Sequence, residues 1–137
     1  MKHFLAALFF VIALPTLGVE HSWGIRAGLT TENDVQAVAG AEYVLRFGSG
    51  WAFNPNAETS FGDNGTLTLN ADLAYQRGLF WIGAGLAEVI PYGEDLDFGI
   101  NVIGGFGPPR HRAPYVQVKS TWATNDRRTV LVAGFRF

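Results

Sequence analysis

Eight ionisable residues fall on the polar side of alternating stretches: Arg26, Glu42, Arg46, Glu58, Asp72, Lys119, Arg128 and Arg136. Their neighbours at alternate positions are mainly Gly, Thr, Asn and Ser. If that side is enclosed, the charges must pair, because removing each from water costs several kcal/mol. Three acids against five bases make pairing feasible, with Asp97 as a further acid. The expectation is a salt-bridge network filling an interior; a proton or ion path, or a catalytic pair, is the alternative.

Other chemistry has weaker support. His21 adjoins Ser22, a possible base and nucleophile, and His111 sits in Pro108-Pro109-Arg110-His111-Arg112 with no Ser beside it. Both histidines read as solvated. Glu94-Asp95-Leu96-Asp97 offers hard oxygens for Ca²⁺ or Mg²⁺ but lacks the other ligands of a known loop. Gly83-Ala84-Gly85 lacks the third glycine and the helix of a nucleotide loop. Asn64-Gly65-Thr66 is a chance sequon. No catalytic, cofactor-binding or metal residue is expected.

The positioning elements are strands. Turn clusters divide the chain into 22–31, 36–47, 50–61, 65–76, 79–89, 96–106, 113–122 and 127–137. Each is about the 9 to 11 residues of a tilted membrane-crossing strand. Alternation is clearest in the fourth, with Leu67, Leu69, Ala71, Leu73 and Tyr75 against Thr66, Thr68, Asn70, Asp72 and Gln76. The last strand sets Leu131, Ala133, Phe135 and Phe137 against Arg128, Val130, Val132, Gly134 and Arg136. In the fifth, Leu79 to Val89, both faces are apolar or Gly.

The ends and the composition set further bounds. Lys2 followed by the apolar run Phe4 to Leu14 and by Thr16-Leu17-Gly18 reads as a signal peptide, residues 1–18. That run is too short for a helical span of ~20 residues. Residues 19–137 hold nine basic and 12 acidic residues, net −3, unsuited to nucleic acid. With no cysteine, a disulfide staple is unavailable to this exported domain.

Alternation alone leaves open which face points inward. A soluble lipocalin-like barrel holding a small apolar ligand puts the apolar face inside; a membrane barrel puts it outside. The polar faces lack the Lys and Glu of a watered surface. Trp23, Trp51, Tyr75 and Trp122 lie near strand ends, where interfacial aromatics belong. Both features favour the membrane.

The eight alternating segments, the signal peptide and the Gly134-Phe135-Arg136-Phe137 ending resemble small bacterial outer-membrane β-barrels of the OmpX or OmpA membrane-domain kind. The resemblance covers residues 19–137. It implies an all-β, eight-stranded, antiparallel up-and-down barrel in the outer membrane, monomeric, with lipid and lipopolysaccharide around it and no cofactor. It also implies that Leu131, Phe135 and Phe137 are read by the barrel assembly machinery. Both termini would face the periplasm, with connections 32–35, 62–64, 90–95 and 123–126 outside. Two enzymes of this architecture, a palmitoyltransferase and a deacylase acting on lipid A, need a His with a Ser near the outer leaflet. His21 and His111 do not match, so a non-enzymatic structural or surface-interacting barrel is expected.

Overall fold

The computed structural model describes residues 20–137 except 33, 94, 110 and 111. The expected signal peptide, Glu94 and His111 lie outside the described residues. Eight strands follow one another: β1 (Glu20–Glu32), β2 (Asp34–Phe47), β3 (Trp51–Phe61), β4 (Thr66–Arg77), β5 (Phe80–Pro91), β6 (Asp97–Phe106), β7 (Ala113–Ala123) and β8 (Arg127–Arg136). Every boundary falls within two residues of the sequence expectation. Among the described residues, no helix is long and apolar enough to cross a membrane.

Each strand pairs antiparallel with the next, and β8 returns to β1 through Gly24↔Arg136 to Thr31↔Thr129. Closure leaves no unpaired strand edge, the condition for a sheet to sit in lipid. Gly48 and Gly78, at φ 60° and 62°, let the chain reverse tightly after β2 and β4, a conformation that costs glycine little. The start of β1, the end of β8, the turns at 48–50 and 77–79, and Gly107 to Pro109 share one rim, here called the termini end.

The distribution of polarity is inverted relative to a water-soluble protein. Ile82, Phe80, Ile25, Leu86 and Ile100 are each more than half exposed, while Asn70, Asp72 and Lys119 are sealed inside. Apolar residues therefore face outward, so the soluble lipocalin-like alternative fails on the side its apolar face takes. Inside, two small apolar clusters remain: Val38, Val130 and Val132, and Ala74, Trp81, Ile103 and Tyr115.

The register resolves β5. Trp81, Gly83, Gly85, Ala87 and Val89 point inward; Phe80, Ile82, Ala84, Leu86 and Glu88 point outward. Glycine was the source of the ambiguity, and its reason is spatial. A Cβ on Gly85 would lie 2.2 Å from Asp72 Oδ1 and 2.4 Å from the Ala71 carbonyl. One on Gly105 of β6 would lie 2.1 Å from the Trp81 ring. The wall thins where a large inward side chain needs room.

Candidate functional site: the lumen

The eight expected lumen residues all project inward, but they form four groups. The first lies at mid-height. Lys119 of β7 donates to Glu58 Oε2 of β3 across the barrel. Arg26 Nε lies 3.1 Å from Glu58 Oε1, and its Nη1 lies 3.8 Å from Glu42 Oε2. Arg136 Nε donates to Glu42 Oε1 at 2.7 Å. Five of the eight thus join in one cluster, with each acid between two bases. Each partner lies close enough to offset part of its neighbour's desolvation.

Asp72 departs from the expectation that acids would meet bases. Its Oδ2 accepts from Asn56 Nδ2 and its Oδ1 from Asn101 Nδ2, both at 2.9 Å. The amide chain continues from Asn70 to Asn56, from Asn101 to Asn70, and from Thr121 to Asn101. Asn54 ties it to the charged cluster by donating to Glu42 Oε2 at 2.8 Å. These asparagines alternate on β3, β4 and β6. Their inward periodicity was visible in the sequence, but their ability to replace a cation was not.

Arg128 stands apart, near the rim opposite the termini. It pairs with Asp126 and donates to Thr66. Asp126 lies in the connection between β7 and β8, and its side chain is only 9% exposed. Among the described residues Asp97 pairs with no base; it accepts the backbone N–H groups of Phe98 and Asn125 at 2.9 and 2.7 Å. At the other end, Arg46 donates to Ser22 Oγ at 3.2 Å.

Near the termini end the Arg136 guanidinium lies against two rings that meet edge to face, 5.0 Å from the Trp81 centroid and 4.2 Å from that of Tyr115. Such cation–π stacking strengthens once water is excluded. Gly134 admits the Tyr115 ring, since a Cβ there would lie 2.4 Å from it. Trp81 and Tyr115, which the period of two does not single out, face Gly105 and Gly134 across the register.

Cavities of about 410 and 600 Å³ open at the termini end and the opposite end. Between them, the voids bordering the charged cluster measure about 20 and 10 Å³.

On the outer wall, Trp23, Trp51 and Tyr75 gather at the termini end, and Trp122 lies at the far end of β7. Trp23 packs on Tyr43 at 4.5 Å between centroids and Trp51 on Tyr75 at 5.3 Å. Leu131, Phe135 and Phe137 form an exposed row, with the last two rings 5.6 Å apart. His21 and Ser22 occupy opposite faces of β1: His21 is exposed, while Ser22 is buried against Arg46. They therefore form no base–nucleophile pair. Glu88 is the unexpected residue. It faces outward between Leu69 and Phe98, is 1% exposed, and its Oε2 has no hydrogen-bond partner.

A closed barrel with an apolar wall and a charged, amide-rich interior is the architecture of membrane-spanning β-barrels. The solved structures agree. The chain is similar to the N-terminal β-barrel domain of Pseudomonas aeruginosa OprF, with 14% identity, 87% of this chain and 99% of that one covered, and a TM-score of 0.66. A designed transmembrane β-barrel matches at 5% identity over 85% and 95%, TM-score 0.59. Ail, the attachment invasion locus protein of Yersinia pestis, solved with the heparin analogue sucrose octasulfate, matches at 13% over 88% and 100%, TM-score 0.52. At these identities the likeness is one of fold. No protein-family model and no curated protein matches the chain.

Proposed function

We propose that this chain is a non-enzymatic integral barrel of the bacterial outer membrane, sealed by its own side chains, with a structural or surface-interacting role. The observation that carries this reading is the Glu58–Lys119 bridge across the lumen, embedded in the Arg26, Glu42 and Arg136 cluster. An eight-stranded barrel is just wide enough for side chains to fill it. In this reading the apolar wall contacts outer-membrane lipid and lipopolysaccharide, the barrel is monomeric, and the termini end faces the periplasm. The row Leu131, Phe135 and Phe137 presents the assembly signal. The separation of His21 from Ser22 supports a non-enzymatic role.

Planar-bilayer recording tests the seal. The purified barrel is expected to give no steady large conductance. Reproducible open levels comparable to those of a 16-stranded porin would overturn the sealed-lumen reading.

A further inference from the structure

We propose that the lumen binds one small monatomic anion, of halide size, in the void between the Arg136 stack and the termini-end mouth. The void measures about 20 Å³. Its polar lining is Arg46, Asn54, Gln76, Gln117 and Arg136, and no carboxylate borders it. Three buried donors on these residues make no hydrogen bond: Arg46 Nε, Arg46 Nη2 and Gln117 Nε2. Buried donors without an acceptor are costly and rare, so three on the residues that line one void favour an occupant that accepts hydrogen bonds.

Charge selects the occupant. Arg26, Lys119, Arg128 and Arg136 each have a carboxylate within ion-pair reach. Among the described residues Arg46 has none, and its one hydrogen bond goes to neutral Ser22. Arg136 adds a second guanidinium on the same void. Gln76 and Asn54 direct their amide N–H groups elsewhere, to the Gly78 and Gly107 carbonyls and to Glu42. Two positive groups and three free donors favour an anion over a water, which must also donate. The space suits one water-sized particle, which excludes phosphate or a carboxylate-bearing molecule. Arg46, Ala52 and Gln76 also line the 410 Å³ cavity, so the void lies directly beneath an open mouth. Binding here does not depend on whether the barrel conducts.

The test uses the chain refolded in detergent micelles. Thermal unfolding is followed in sodium bromide, sodium chloride and sodium gluconate at one fixed ionic strength. Bromide-soaked crystals are examined by anomalous diffraction. Bromide and chloride are expected to raise the unfolding temperature saturably over gluconate, which is too large for the void. Arg46→Met and Gln117→Leu should weaken the halide response at least about tenfold, the consequence of losing a strong hydrogen bond to the ion. If Arg46→Met fails to refold, Gln117→Leu carries the comparison. A bromide peak within hydrogen-bond reach of Arg46 and Gln117 supports the site. Equal unfolding curves in halide and gluconate, with no peak in the void, would overturn it and leave a water there.

Discussion

Lys119 and Glu58 stand on strands four apart in an eight-strand cycle, and their side chains meet across the lumen. Strand pairing fixes neighbours; this bridge joins opposite walls. It is a contact that closure of the barrel makes possible and that local structure cannot form.

That relationship sets the first prediction. Lys119→Met leaves Glu58 facing Arg26 alone and should cost about 3–5 kcal/mol, as for a buried pair broken on one side. Removing both partners, in Lys119→Met with Glu58→Leu, strands Arg26 against Glu42 only and should cost less than the sum of the two single changes. Urea titrations of the refolded barrel measure the coupling. Additive effects would mean that the two groups do not interact energetically.

A second prediction concerns wall thickness. Gly85→Ala places a methyl group against Asp72 and the Ala71 carbonyl, both closer than 2.5 Å. Overpacking of this kind costs about 1–3 kcal/mol. Ala84→Gly, on the outward face of the same strand, removes one methyl from the wall and should cost less. If Gly85→Ala refolds with unchanged urea midpoint, Asp72 is not held where the structure puts it.

These sites show where the sequence was legible and where it was not. The alternation of β4 exposed both its faces at once, because Leu67 to Tyr75 and Thr66 to Gln76 differ in chemistry at every step. In β5 the inward face carries Gly83, Gly85 and Ala87, chosen for the volume they leave free, so hydropathy carried no signal. Inward placement of Arg26, Glu42, Glu58, Lys119 and Arg136 followed from the period of two. Their partners did not, since a period says nothing about which residues meet across a lumen. Nothing in the polar connection 123–126 marks Asp126 as a partner; Arg128, two residues on, folds back and takes it. Glu88 went unremarked because neither face of β5 looked polar enough to make an acid conspicuous.

Glu88 gives the third prediction. An acid sealed on the outer side of the wall at 1% exposure, one oxygen without a hydrogen-bond partner, carries a desolvation cost that its apolar surroundings do not offset. Glu88→Leu should therefore stabilise the barrel in lipid vesicles by about 1–2 kcal/mol. A loss of stability would show that the carboxyl has a favourable partner in the folded state.

The fourth prediction separates assembly from stability. Leu131→Ala and Phe137→Ala each remove an outward apolar side chain worth about 2 kcal/mol at most. Both should refold into detergent. In cells, Phe137→Ala should reach the outer membrane less well. Equal insertion of the two variants would reduce Phe137 to one more wall residue.

A barrel of this polarity belongs in a membrane. Cell fractionation followed by gel electrophoresis of boiled and unboiled samples tests it most directly. The protein should partition with the outer membrane, require detergent for release, and run at two mobilities, folded and heat-unfolded. Recovery in the soluble periplasmic fraction, with one mobility in both lanes, would contradict the account.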